Sequence, residues 1–242
     1  MRAFWRAFSR GKASQAVSKG ENKWTKVDDY LSNLLLPFDP ALEAAIQASK
    51  ESGLPPISVS PSQGKLLTLL AKAIGARAIL EIGTLGGYST IWLARALAPG
   101  GRLITLERDP ARVEVARANI ARAHLSDRVE QRCGAALDLL PGLRGPFDLI
   151  FIDADPINLA EYFHRAVRLS HPGSLIIVDN VVRRGSIIDS GAHKPPIQGL
   201  RRFFECAASE PAVSMTVIQT VGSKGHDGFA VALVLGEADV TG

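Results

Sequence analysis

Ala78-Ile79-Leu80-Glu81-Ile82-Gly83-Thr84-Leu85-Gly86-Gly87-Tyr88-Ser89 is an apolar, β-branched run that breaks into a glycine-rich turn, and helical spacing resumes from Tyr88 to Leu97. This pattern predicts a strand, a tight turn and a helix start, a place where free backbone N–H groups gather. Gly83 reads as a point of close ligand approach, because a Cβ there would occupy the ligand's space. The spacing differs from the G-x-G-x-x-G of dinucleotide sites, and Glu81 at the strand end would repel a pyrophosphate. The expected ligand is flat and polar, has no phosphate there, and can carry positive charge. Glu107 ends the next apolar run, Arg102 to Glu107, where a carboxylate can accept hydrogen bonds from both hydroxyls of a ribose.

Further strands are expected at 77–82, 102–107, 128–132, 147–153 and 174–179, with helices at 88–98, 110–124, 135–141 and 157–170 between them. Short helices between apolar strands imply a parallel sheet wound on both faces. After a loop over 181–196 come a helix at 197–209 and two strands, 215–221 and 228–235, joined by Gly-Ser-Lys-Gly-His-Asp as an antiparallel hairpin. The fold class is therefore α/β, a Rossmann-like seven-stranded sheet, mostly parallel, with a C-terminal antiparallel hairpin. Upstream, a helix is expected over 61–74. Residues 23–52 read as two amphipathic helices divided at Pro37 to Pro40, with Asp39-Pro40 as a helix start. They would cover the mouth of the core or pack on a second subunit.

At 242 residues, 46% hydrophobic and 21% charged, the chain can bury one sizeable core. The expected division is a basic arm (1–22), a helical cap (23–60) and a ligand-binding core (61–242). The net charge of +4 belongs to the arm. Within residues 1–20, Arg2, Arg6, Arg10, Lys12 and Lys19 lie without an acid, beside Phe4, Trp5 and Phe8, so the remainder is slightly acidic. Such an arm suits a membrane surface, a nucleic acid, a targeting role or a loose extension. No apolar run reaches a membrane span, and Cys133 and Cys206 lack metal-site spacing. A cytoplasmic protein with reduced thiols is the expectation.

Two strands end in groups that carry chemistry. Phe147-Asp148-Leu149-Ile150-Phe151-Ile152-Asp153-Ala154-Asp155 finishes in carboxylates, and Leu175-Ile176-Ile177-Val178-Asp179-Asn180 in a carboxylate and an amide. In a parallel sheet these ends emerge side by side at the carboxyl edge, where open α/β folds bind ligands. Converging carboxylates repel unless a cation or proton intervenes. Oxygen-only ligands favour a hard divalent ion, Mg²⁺ first, with Mn²⁺ or Ca²⁺ as alternatives.

The Gly-rich turn with Glu107 resembles class I S-adenosylmethionine-dependent methyltransferases. With Phe-Ile-Asp-Ala-Asp and Val-Asp-Asn added, residues 23–235 resemble the cation-dependent O-methyltransferases, the group of catechol and caffeoyl-coenzyme A O-methyltransferases. That resemblance implies Asp153, Asp179 and Asn180 around the metal, with Asp153 and Asn180 also catalytic. Around S-adenosylmethionine it implies Val59 at the methionine end, and Glu81, Gly83, Thr84 and Ser89 at the turn. It further implies Glu107 on the ribose, Ala136 near the adenine, and Asp153 and Asp155 as orienting groups. The implied reaction transfers methyl to one hydroxyl of a small vicinal dihydroxy acceptor, in a homodimer. A tRNA-modifying enzyme and a cofactor-binding protein without catalysis are the alternatives. One departure stands out: the lysine expected after Asp-Ala-Asp is Pro156, which has no amine. Three outcomes follow: the metal alone suffices, another group substitutes, or turnover is lost. His164, His193 and Lys194 are the substitutes considered, with Arg183 and Arg184 as sites for an acidic acceptor.

Overall fold

The computed structural model describes residues 19–189, 191 and 194–236. Three helices, α1 (Lys19–Leu35), α2 (Pro40–Glu51) and α3 (Pro61–Ala73), precede the sheet. Then follow β1 (Ala78–Ile82), α4 (Tyr88–Ala96), β2 (Arg102–Glu107), α5 (Pro110–Arg122), β3 (Val129–Cys133), α6 (Ala136–Leu139), β4 (Phe147–Ile152), α7 (Leu159–Arg168), β5 (Ser170–Asp179), α8 (Pro195–Ala208), β6 (Val213–Gly222) and β7 (Gly225–Val234). The seven strands lie in the order β3-β2-β1-β4-β5-β7-β6. The first five are mutually parallel, and β7 runs antiparallel to both β5 and β6. The expected α/β class and sheet are thus observed. The basic residues of 1–18 and His193 lie outside the described residues.

Strand alternation splits the core in two. Leu80, Ile82, Ile150, Ile152, Ile176 and Val178 pack under α7 and α8, where Phe163 and Phe203 meet edge to face. Ile79, Leu149, Phe151 and Ile177 face α2 to α5 on the other side. Period-2 alternation within continuously apolar strands is what a sheet covered on both faces requires. Asp39 caps α2 by accepting from the N–H groups of Ala41 and Leu42 and also pairs with Arg95 of α4, which fixes the N-terminal helices to the core.

Several boundaries differ from the sequence expectation, each for a local reason. β5 begins at Ser170, ahead of the expected 174, and its polar Ser-His-Pro-Gly start is marked by a register shift against β4. The stretch expected as one helix from 157 starts as a 3-10 turn, Pro156–Asn158, capped by Asp155. The loop after Asn180 contains a 3-10 segment, Arg183–Ile188, and α8 starts early because Pro195 suits its first turn. The hairpin is tighter than expected: Gly222 pairs with Gly225, leaving only Ser223 and Lys224 in the turn. No helix among the described residues is long and apolar enough to cross a membrane, and both cysteines are free and exposed.

At the amino edge of the sheet, Asp148 ties three strands together. Its Oδ2 accepts from the N–H groups of Arg77 and Ala78, each at 2.7 Å, and its Oδ1 lies 2.9 Å from His171 Nε2. The bond to Asp148 raises the His171 pKa, followed by the bond to Pro172 O. Burial pushes the Asp148 carboxyl up, but bonds from His171, Ala78 and Arg77 outweigh it and hold it below its usual value.

Two outcomes are expected. Gly83 has φ +102°, and a Cβ there would overlap the carbonyl oxygen of Asp153, so Gly83→Ala should lower stability by about 3 kcal/mol in urea unfolding. For His171 the folded pKa lies above the unfolded one, so its contribution is complete below about pH 6.5 and fades as pH rises through the folded value. The stability advantage of the wild type over His171→Gln should therefore be larger at about pH 5.5 than at about pH 9, and stay under about 1 kcal/mol, since the pair is solvent-screened. An advantage independent of pH would show the pair to be electrostatically idle.

Candidate functional site

The sheet order reverses direction at β1, with β2 on one side and β4 on the other, and such switch points leave a crevice at the strand carboxyl ends. A cavity of about 470 Å³ opens there. The turn after β1 forms one wall. Gly87, at φ +81°, ends that turn and precedes α4. Asn119 of α5 donates from Nδ2 to Gly86 O at 2.9 Å, bracing the turn from behind.

Val59, Gly83, Thr84, Ser89, Glu107, Ala136, Asp153, Asp155 and Asn180 all line this cavity. Glu81 does not. It is fully buried behind the turn, with Oε1 accepting from Ser89 Oγ at 2.6 Å and Oε2 from Thr90 Oγ1 and from Thr105 Oγ1 at 2.7 Å. Burial raises its pKa to about 7, against the opposing pull of those three hydroxyls. Glu81 therefore braces the turn from behind instead of lining the cavity. The reason given for Gly83 is corrected, because the group occupying the place of its Cβ is the Asp153 backbone, not a ligand.

Glu107 is held open to the cavity by its own turn. Oε2 accepts from Leu85 N–H at 2.9 Å and Oε1 from Asp109 N–H at 3.0 Å, with Arg112 at 3.8 Å from Oε1. Each oxygen keeps a second lone pair for a ligand hydroxyl. Asp155 accepts from Asn158 N and Nδ2 and, at 2.6 Å, from the Tyr162 hydroxyl. Burial and then this bond to Asp155 raise the Tyr162 pKa. Sequence reasoning missed Tyr162. The signal was present, since Tyr162 follows the carboxylate motif by one short turn, near the start of the next helix.

Asp153, Asp179 and Asn180 come together at the tips of β4 and β5. Asn180 donates from Nδ2 to Asp153 Oδ1 at 3.0 Å and from its backbone N to Asp179 Oδ1 at 2.9 Å, with its own φ at +60°. Burial and then the charge of Asp179 raise the Asp153 pKa to about 7, while Lys224 and Arg183 act the other way. Burial also raises Asp179, against a hydrogen bond with Gln63. Asp179 faces a second cavity, of about 290 Å³, and Asn180 and Lys224 line both. Among the described residues no group of three or more carboxylate, imidazole or thiol side chains gathers. The donor set is two carboxylates and one amide, and an amide presents oxygen in place of nitrogen by a half-turn. Two half-buried acids, both raised by burial and one of them also by the other's charge, with no salt bridge to either among the described residues, suit a hard cation.

The other groups considered for the missing lysine stand apart. His164 is exposed on α7 and Lys194 is exposed at the start of α8, and neither lines the cavity. Pro156 packs its carbonyl against Gly199. The amine that does line the cavity is Lys224, which sequence reasoning placed in a connector. Its Nζ donates to Ser58 O at 2.7 Å and to Ile57 O at 3.0 Å.

The O-methyltransferase family model matches residues 39–232. A catechol O-methyltransferase of Niastella koreensis is 53% identical over 212 residues, covering 86% of this chain and 96% of the relative. An O-methyltransferase from Bacillus cereus, solved in complex with S-adenosylhomocysteine, superposes with a TM-score of 0.87 at 55% identity, covering 88% of this chain and 99% of that one. A Streptomyces achromogenes O-methyltransferase involved in tomaymycin synthesis, solved with S-adenosylmethionine, also superposes at 0.87, with 49% identity and coverage of 90% and 100%. Likeness of that extent, running from the cap of α2 into the last strand, makes this chain a member of the O-methyltransferase family.

Proposed function

We propose that this O-methyltransferase takes its methyl group from S-adenosylmethionine and, with a divalent cation, Mg²⁺ foremost, methylates one hydroxyl of a small catechol-like acceptor. The observation that carries the reading is the meeting of Asp153, Asp179 and Asn180 beside the cavity floored by the Gly83 turn. The names of the relatives point to the same acceptor class.

In this reading Glu107 accepts from the ribose hydroxyls with the lone pairs that Leu85 and Asp109 leave free. Ala136 and Leu137 supply the apolar wall for the adenine. Ile57, Ser58 and Val59 close the methionine end, so that residues 23–60 serve as a cap on the 61–242 core. Lys224 holds that cap down through the two carbonyls it bonds. Asp155, fixed by Asn158 and Tyr162, orients the cofactor side of the cavity. Asp153, Asp179 and Asn180 hold the cation, which supplies acidification of an acceptor hydroxyl without a strong protein base. Pro156 offers no amine for that proton, so positioning by the cavity walls carries the remaining contribution.

A homodimer belongs to the same reading. Tyr30, Leu34 and Leu35 on α1 are 67%, 66% and 67% exposed, and Phe38 just beyond is 81% exposed. Apolar surface of this extent on a helix is the usual mark of an interface. Light scattering should give twice the chain mass for the wild type and the monomer mass for Leu34→Glu; a monomeric wild type would dismiss the dimer.

Transfer of labelled methyl to catechol acceptors should require Mg²⁺ or Mn²⁺, stop in EDTA, and fall at least about 100-fold in Asp179→Ala. EDTA-resistant transfer would reject the cation. Pro156→Lys should not produce the gain of about 10²-fold or more that a missing general base would return; such a gain would show that the cation and the cavity walls do not suffice.

A further inference from the structure

Among the described residues four cationic side chains line the main cavity: Arg108, Arg112, Arg183 and Lys224. Arg112 pairs with Glu107 and Asp109, and Lys224 is spent on two backbone carbonyls. Arg108 is exposed at the end of β2, separated by β1 and β4 from the strand that carries Asp179. Arg183 differs from all three. It follows the β5 tip, beside Asp153 and Asn180, close enough to Asp153 to stabilise its charge. Its side chain is half-buried and forms no hydrogen bond or salt bridge with any described residue, and its Nε is sealed from solvent without an acceptor.

Burying an N–H of a guanidinium without an acceptor is costly, and the backbone adds to that cost. Arg183 has φ +52° and Arg184 φ +57°, left-handed conformations that bulky residues rarely adopt. Asp227 of β7 holds this arrangement, its Oδ1 accepting from Val182 N at 3.0 Å and from Arg183 N at 2.9 Å. The chain therefore strains its backbone to set a cation at the acceptor end and, among the described residues, gives its guanidinium no hydrogen-bonding partner.

We propose that Arg183 is a specificity residue that receives a carboxylate carried by the acceptor, so that acidic catechols are preferred over neutral ones. A planar guanidinium matches a carboxylate in two parallel hydrogen bonds, and the incoming group provides the acceptor that the protein withholds. This rests on the catechol reading above and narrows it.

The test compares catechol with 3,4-dihydroxybenzoate, which differ by the carboxylate, on the full-length chain with S-adenosylmethionine and Mg²⁺. Affinities for the same pair are measured by calorimetry with S-adenosylhomocysteine present. Arg183→Asn is the informative variant, because asparagine tolerates left-handed backbone, and Arg183→Lys keeps charge without the fork. The wild type should favour the acid by about ten-fold or more in kcat/KM and in affinity. Arg183→Asn should bring both ratios close to one, chiefly through KM, and Arg183→Lys should fall between. A wild-type ratio near one, or a preference that survives in Arg183→Asn, overturns the proposal while leaving catechol methylation standing. If neither compound is methylated the catechol reading fails, and calorimetry then decides: affinity for the acid lost in Arg183→Asn keeps Arg183 as an anion receptor, and equal affinity removes it.

Discussion

Asp153 and Asp179 occupy the ends of neighbouring parallel strands, partly withdrawn from water, and burial makes each harder to ionise than a surface acid, with the charge of Asp179 adding to the effect on Asp153. That cost has to be met by the rest of the fold. Parallel pairing of β4 with β5 fixes the spacing of the two tips. Asn180, bent into a left-handed conformation, spans both carboxylates with one side-chain and one backbone bond. Lys224 and Arg183 approach from the far side and contribute positive charge. The burial of these acids, offset by nearby positive charge, organises the end of the cavity at β4 and β5.

The cofactor end follows a different logic, in which neutral donors hold an acid in place. Glu81 sits among the hydroxyls of Ser89, Thr90 and Thr105, and Thr105 continues to Thr84 in the turn itself. These residues come from β1, β2, α4 and the turn between them, so one buried carboxyl fastens four pieces of backbone. The turn reaches the ligand as a rigid object, with Leu85 N–H already bound to Glu107. Preorganisation of this kind leaves less ordering to be done when ligand arrives.

The sheet was legible because its strands are nearly pure apolar runs ended by charged or glycine residues, and the carboxylates at those ends were legible for the same reason. Boundaries failed where polar residues enter a strand, as at Ser170 to Gly173, or where a hairpin closes on two residues, as at Ser223 and Lys224. Individual roles were less readable than positions. Glu81 and Glu107 lie near the ends of neighbouring strands, yet one is enclosed by hydroxyls and the other opens to the cavity, a difference set by height along the sheet, since Glu81 pairs with Thr105, two residues short of Glu107. Lys224 left no local signal at all, because its partners Ile57 and Ser58 lie far away in the chain.

The strand order β5-β7-β6 also has a consequence for synthesis. β6 is made before β7 but bonds only to β7, which lies between it and the rest of the sheet. Until the last strand leaves the ribosome, β6 has no sheet edge of its own to join, and the open flank of β5 exposes Asp179. Lys224 and Asp227, the residues that pin the cap and the Arg183 loop, arrive with that same final stretch. The nascent chain therefore carries its Gly-rich turn long before it carries a finished acceptor end, and the two halves of the cavity mature in that order.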